Sequence, residues 1–302
     1  MICAIGELLI DFIQKDKNEF GYPVLSAVPG GAPANFLVAV KKEGVDASFI
    51  GKVGKDAFGA LLKKTLFEKG INVSGVIEDC SVFTTLAFVT LDEKGERSFS
   101  FSRKPGADTC LNFEETDLSL IDRSIIFHFG SLSFTAAPSK TAVIKALEYA
   151  KSKNKIISYD PNYRPSLWES EEKAKENMLL GFNFSDIVKL SIEESEFLFG
   201  KAFEEAADFL IDEYGVSLVF VTMGEKGCYY KNRNCSGTVK SEIKVTPVDT
   251  TGAGDIFGGT AAAMILKSGK HPKDLTKEEL HNIAAKACTV ASLSTEQHGG
   301  MV

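Results

Sequence analysis

No two cysteines of this chain stand in a C-x-x-C arrangement. The six, Cys3, Cys80, Cys110, Cys228, Cys235 and Cys288, are scattered over 302 residues. That pattern suits reduced, mostly buried thiols and excludes a disulfide framework or a structural zinc site. The four histidines, His128, His271, His281 and His298, show no metal-ligand spacing either. No apolar run approaches the roughly 20 residues that span a bilayer. Residues 1–6 carry no basic stretch and an acid follows at Glu7, which makes a poor signal peptide. A cytoplasmic protein that does not engage membranes is therefore expected. Positive charge is in deficit: 34 Lys and Arg against 41 Asp and Glu leave a net charge of -7. Nonspecific nucleic-acid binding is disfavoured by that balance. The chain has no G-x-x-x-x-G-K-[ST] phosphate loop and no H-R-D or D-F-G element. No internal repeat, low-complexity segment or long linker divides it.

What the chain does have is alternation. From residue 124 onward, strand patterns at 125–129, 156–159, 187–190 and 218–222 alternate with helical patterns at 139–153, 171–180, 193–199 and 204–214. Helices around 256–267 and 277–293 close the chain. Such alternation predicts a parallel sheet covered on both faces, with ligands at the C-terminal strand ends. Ahead of residue 105 the material is richer in strand. Runs at 85–91 and 97–103 flank Asp92-Glu93-Lys94-Gly95-Glu96, a hairpin signal. One domain spanning 1–302 is expected, with a small β lid from about 12–28 and 83–105. The apolar face of the second hairpin arm, Phe99 and Phe101, would pair with another subunit in a homodimer or cover a ligand. Asp16-Lys17-Asn18-Glu19 reads as a polar loop.

Two glycine clusters carry the chemistry. In Asp249-Thr250-Thr251-Gly252-Ala253-Gly254-Asp255 a loop of small residues enters a helix. A helix start offers unpartnered N–H groups and partial positive charge. Gly252, Ala253 and Gly254 would let an anion approach them, and Asp255 sets a carboxylate beside the spot. That combination suits phosphoryl transfer; a helix-capping acid after a tight turn is the plainer alternative. In Pro29-Gly30-Gly31-Ala32-Pro33-Ala34-Asn35, the Asn35 amide suits a polyol, and a turn into a helix is again the plainer reading. Asp11, just past an apolar run, could accept from sugar hydroxyls. Arg164, in Asp160-Pro161-Asn162-Tyr163-Arg164, and Arg103, after the hairpin, are candidate cations for a phosphate or sugar oxygen. Glu194, at a strand-to-helix junction after Lys189, could orient Mg²⁺-bound water. The turn holding Thr222, Gly224 and Gly227 could line a nucleotide pocket.

Together these residues resemble the ribokinase-type (PfkB) family of sugar and nucleoside kinases over essentially the whole chain. Gly30-Gly31-Ala32-Pro33-Ala34-Asn35 looks like its N-terminal motif and Asp249 to Asp255 like its C-terminal one. Within the family the segments 29–35, 103–108 and 160–168 look most like fructokinases. The resemblance implies a three-layer α/β/α domain with a central, mostly parallel sheet and a β lid. It implies ATP-dependent phosphorylation of fructose at its 6-hydroxyl, with Asp255 as base and the N–H groups of Gly252, Ala253 and Gly254 as anion hole. At an ordinary carboxylate pKa of about 3.9, that base would accept its proton late. Asp11, Gly30, Gly31, Asn35, Arg164 and Arg103 would hold the sugar. Lys189, Thr222, Gly224 and Gly227 would line the ATP site. Glu194 would act on Mg²⁺ through water, and Asp249 and Thr251 on a monovalent cation such as K⁺. Ser191 stands where the family's N-x-x-E element has its Asn. A 2-keto-3-deoxygluconate kinase is the rival within the enzyme class. A non-catalytic sugar- or nucleotide-binding regulator on the same fold is the rival outside it.

Overall fold

Short apolar runs with no polar break can be covered on both sides, and here they build the centre of the molecule. The structure, a computed structural model, describes residues 1–91, 97–240 and 243–301, with backbone alone at 90, 91 and 97–99. In chain order, the first part holds β1 (Ile2–Ile5), β2 (Leu9–Lys17), β3 (Pro23–Gly30), α1 (Ala32–Lys42), β4 (Ala47–Gly54), α2 (Ala57–Glu68) and β5 (Asn72–Asp79). The middle holds β6 (Leu86–Leu91), β7 (Arg97–Ser102), α3 (Leu118–Arg123), β8 (Ile126–Gly130), α4 (Ser139–Ser152), β9 (Ile156–Asp160) and α5 (Glu171–Phe182). The last part holds β10 (Ile187–Ser191), α6 (Ile192–Phe199), α7 (Phe203–Glu213), β11 (Leu218–Thr222), β12 (Cys228–Asn232), β13 (Ser236–Val239), α8 (Ala253–Ser268) and α9 (Lys277–Ser294).

A nine-stranded sheet runs in the order β13-β12-β11-β10-β9-β8-β1-β4-β5. The strands from β11 to β5 are parallel, and β12 and β13 are antiparallel additions at one edge. Alternate residues along each strand face opposite layers. Cys3, Ile5, Phe127, Phe129, Tyr159 and Leu190 join the core beneath α4, α5 and α7. Ile2, Ala4 and Ile126 face α1 and α8, and Leu218 and Phe220 face α8 and α9. The result is the α/β/α layering that the alternation predicts. β1 lies between β4 and β8, so the strand order reverses there, and such a switch point is where open sheets bind ligands.

A second, four-stranded sheet has the order β3-β2-β6-β7. β6 and β7 form the expected hairpin; its turn, Asp92 to Glu96, lies outside the described residues, as does the side chain of Phe99. Phe101 is half-buried. β2 corrects two expectations. Asp16 and Lys17 belong to the strand rather than to a loop, and Asp11 stands within it, paired with Val28 and Ala87. The strand leaves the core as it runs, so its apolar signal fades after Ile13. β3, β5, β13 and α3 also lack a clear period in the sequence. Among the described residues, no helix is long and apolar enough to cross a membrane.

Helices α1 and α8 pack unusually closely. A Cβ at Gly259 would collide with the carbonyl oxygen of Phe36. From below, the ring of Phe36 stacks on His128 with centroids 3.7 Å apart. Burial and the nearby Lys189 hold that imidazole neutral, with its pKa pushed down to about 3, and its Nδ1 bonds Ser158 Oγ at 3.0 Å. Gly259→Ala is expected to cost about 1–3 kcal/mol through overpacking. Urea unfolding checks this; an unchanged midpoint would mean the two helices do not meet so closely.

Candidate active site

Glycine opens helix α8. Gly252 is its N-cap at φ 79°, a left-handed conformation that side chains resist. Ala253, Gly254 and Asp255 then form the first turn, so the helix starts three residues earlier than its apolar period suggests. N–H groups in a first turn have no partner within the helix. That of Ala253 reaches back to Thr250 O at a long 3.3 Å. The residues of this positively polarised end, Gly252, Ala253 and Gly254, carry at most a methyl group.

Asp255 does not cap its helix. Its Oδ2 accepts from Asn35 Nδ2 at 2.8 Å, and the residue is only 9% exposed. Burial and the charge of Asp160 push its carboxyl up to about 7, against the pull of Asn35, Lys189 and Arg164. This carboxyl thus holds its proton to far higher pH than the ordinary carboxylate the sequence suggests. Asn35 arrives on α1, whose N-cap Gly31 has φ 120°. A Cβ there would lie 2.5 Å from Glu7 O.

Lys189, on β10, donates to Asp160 Oδ2 at 2.9 Å. A Cβ on Gly254 would fall 2.9 Å from the same amine, so Lys189 reaches the start of α8. Burial opposes its charge, but Asp160, Glu194 and Asp255 outweigh that and raise its pKa. Asp11 is pushed to about 6 by burial, with Arg164 pulling down and Asp249 pushing up. Arg164 therefore acts on both Asp11 and Asp255, while its Nη1 donates to Tyr163 O at 3.0 Å. Gly30 lies against Asp11, whose Oδ2 would block a Cβ at that position.

On the other side of the helix start lies a cavity of about 650 Å³, within the range of small-ligand sites. Thr222, Gly224, Gly227, Ala253, Gly254 and Phe257 line it, together with Pro247, Cys288 and Ala291. Three of the four residues expected around a nucleotide thus meet here. The fourth, Lys189, stands instead between Asp160 and Gly254.

Glu194 is buried and both its oxygens are engaged. Oε1 accepts from Tyr163 N and Oε2 from Ser191 N, each at 2.8 Å. Ser191 Oγ accepts in return from Glu194 N at 3.1 Å, closing a capping box. Burial raises the Glu194 carboxyl pKa against the attraction of Lys189. Asp249 accepts from Thr251 N at 2.9 Å and from Gly299 N at 3.0 Å. Among the described residues no three His, Cys, Asp or Glu side chains are arranged to hold a metal ion.

Arg103 is elsewhere. Its Nε donates to Asp108 Oδ2 at 2.8 Å, its Nη1 to Thr135 Oγ1 at 2.6 Å and its Nη2 to Leu132 O at 3.0 Å. The structure spends this guanidinium on the protein rather than leaving it free in the sugar site. Two residues escaped the sequence reading. Asp160 was legible only as part of a loop; the β9–β10 register, with Tyr159 opposite Val188, continues to set it opposite Lys189. Glu7, which carries no site role in the sequence, is 2% exposed and its Oε1 accepts from Ala32 N at 3.0 Å.

A helix start with a buried acid, a lysine against it and a nucleotide-sized cavity alongside is the setting in which the comparisons fall. Residues 1–302 match the pfkB family carbohydrate kinase. The chain belongs to this family. It is similar to Fructokinase-1 of Zea mays, 40% identical over 304 residues that cover 100% of this chain and 93% of the maize protein. Its fold matches a crystal structure of fructokinase with bound ATP from Xylella fastidiosa at a TM-score of 0.92, with 30% identity over 99% of this chain and 93% of that one. A double-mutant fructokinase from Vibrio cholerae O395, in a form with fructose, ADP and potassium ion bound, matches at 0.87, with 29% identity over 100% and 94%. The chain is an ATP-dependent sugar kinase of the pfkB family.

In this pfkB kinase the raised Asp255 pKa has two consequences. A carboxylate that takes the proton of a sugar hydroxyl must first be deprotonated, so such a role for Asp255 predicts that kcat/KM for the sugar falls about tenfold per pH unit below about 7. Stability runs the other way. The unfolded carboxyl loses its proton near 4 and the folded one near 7, so the native state holds the extra proton in between. Stability is lost as pH rises across that window. Asp255→Asn should therefore raise the thermal midpoint at pH 8 and change it little at pH 4. Equal shifts at both values would show that Asp255 titrates normally.

Proposed function

We propose that this chain transfers the γ-phosphoryl group of ATP to the 6-hydroxyl of fructose, with Asp255 as the general base. The observation that carries this reading is the placement of Asp255. It is buried, aimed by Asn35, and set in the first turn of α8 between a nucleotide-sized cavity and the group formed by Asp11, Gly30, Gly31, Asn35 and Arg164.

ATP lies in the cavity lined by Thr222, Gly224 and Gly227, with its triphosphate toward Ala253 and Gly254. The N–H groups of Gly252, Ala253 and Gly254 meet the charge that develops on the transferring group. Lys189 adds a fixed positive charge from the β10 side. Fructose sits against Asp11, Gly31, Asn35 and Arg164, its 6-hydroxyl toward Asp255. With a pKa near that of the medium, Asp255 takes the hydroxyl proton as the O–P bond forms. The second sheet acts as a lid that excludes water, the competing acceptor.

A magnesium ion on the phosphates supplies charge neutralisation. Glu194 would fit it through water, since each carboxylate oxygen keeps a second acceptor site beside its N–H bond. Asp249, which accepts from both Thr251 N and Gly299 N, and Thr251 are the groups that would hold a monovalent cation such as potassium.

Arg103 favours a neutral ketose over a sugar acid. Asp108 neutralises it, which leaves Arg164 as the cation of the sugar site, already facing Asp11 and Asp255. A coupled ATP-consumption assay over fructose, 2-keto-3-deoxygluconate, ribose, tagatose and adenosine tests the substrate. Fructose should lead in kcat/KM; a large lead for another sugar would sink the assignment. Asp255→Asn should lower kcat by about 10²–10⁴-fold with ATP affinity retained. Turnover near the wild-type rate would remove Asp255 from the mechanism.

A further inference from the structure

The second sheet joins the body at four roots, and buried polar groups gather at all of them. β2 emerges just after Glu7, and β3 ends at Gly30, before Gly31 and Ala32. β6 begins just after Thr85, and β7 ends just before Arg103. Thr85, Asp108, Arg103 and Glu7 are all nearly inaccessible, at 0%, 5%, 8% and 2% exposure.

Asp108 ties two roots together. Its Oδ1 accepts from Thr85 Oγ1, and its Oδ2 meets Arg103 at both Nε, 2.8 Å, and Nη2, 2.6 Å. Arg103 then crosses to the main sheet. It donates to Thr135 Oγ1 and Leu132 O, in the short 3-10 turn Ser131–Thr135 that follows β8. The other two roots join the same knot. Ile10 N, at the start of β2, donates to Thr85 O at 3.1 Å. Glu7 receives the Ala32 N–H at the root of β3.

A buried ion pair adds little net stability over apolar side chains of the same size. What it adds here is a fixed geometry: a guanidinium with several aimed donors holds its partners at set angles. The residues that the second sheet and its roots bring to the sugar are Asp11, two positions past Leu9 on β2, Gly30, the last of β3, and Gly31, one past it. We propose that Arg103 and Asp108 are positioning residues that lock the roots of the second sheet to the end of β8, and so fix where Asp11 stands relative to Asp255. Neither touches the reacting atoms. This inference rests on the fructose phosphorylation proposed above.

Loosening the knot should let the sheet close imperfectly. Sugar binding weakens, and water enters as an alternative acceptor for the phosphoryl group. The experiment compares wild type with Asp108→Asn and Thr85→Val, measuring KM for fructose, KM for ATP, and the ratio of ADP formed to sugar phosphate formed. Asp108→Asn is expected to raise the fructose KM about tenfold or more. KM for ATP should stay within about twofold, and ADP should exceed sugar phosphate. Thr85→Val, which removes one hydroxyl, should show the same pattern more weakly, and it decides the matter if Asp108→Asn does not fold. A folded variant with unchanged fructose KM and a one-to-one product ratio overturns the inference. So does a variant whose activity falls with that ratio and both KM values intact, the mark of general structural damage. Wild-type protein that does not phosphorylate fructose would instead defeat the underlying reading of function, and the two failures are separable.

Discussion

The hydrogen bond from Asn35 to Asp255 spans 220 positions of the chain, and much of the molecule serves to make it possible. It joins the first turns of α1 and α8, so both helices must arrive at one point with little tolerance. Gly259 lets the backbones approach. His128, uncharged and bonded to Ser158, supports Phe36 from the sheet side. The carboxylate at the end of this arrangement sits where hydration cannot help it, and its proton affinity rises in consequence. Asp160 raises it further while also holding Lys189, the cation that would lower it. The proton affinity of Asp255 is therefore set by burial and a balance among four neighbours, Asp160, Asn35, Lys189 and Arg164.

How much of this can be seen in the sequence follows from what each group does there. Helix-start sites are built from backbone, and backbone use leaves marks: Gly252 has a left-handed φ, Gly254 lies against the Lys189 amine, and Gly31 has a φ and a contact with Glu7 that admit no side chain. Core strands such as β8 and β11 are equally visible, since burial on both sides favours short apolar runs and admits a polar side chain such as His128 only neutral and hydrogen-bonded. The second sheet is harder to see. Half of β3 is exposed and its burial does not alternate, so its residues, flanked by prolines and glycine, carry no strand period and resemble a loop.

Charged groups were the least readable. Arg103 after a hairpin looks the same whether it is free or paired, and only the fold reveals that Asp108, five residues on, turns back to claim it. Asp160 and Lys189 are 29 residues apart and meet because β9 and β10 are neighbours in the sheet order, which no local pattern encodes. Glu194 illustrates a mixed case. Its position at a strand-to-helix junction is evident, while its bond to Tyr163 N comes from a loop that enters from β9. In each instance the residue type was plain and the partner was not.

The long reach of the Asn35–Asp255 contact also bears on how the molecule comes into being. Chains are made from the N-terminus onward, so α1 forms its half of the site when α8 has yet to be synthesised. The side of α1 that will meet Gly258 and Gly259 then has nothing to cover it. Contacts of such separation form late and slowly, and apolar surface waiting for them invites mispairing. A nascent chain of this kind carries an incomplete helix layer until α8 is made and docks, and the cavity beside the start of α8 is walled only when Cys288 and Ala291 follow on α9.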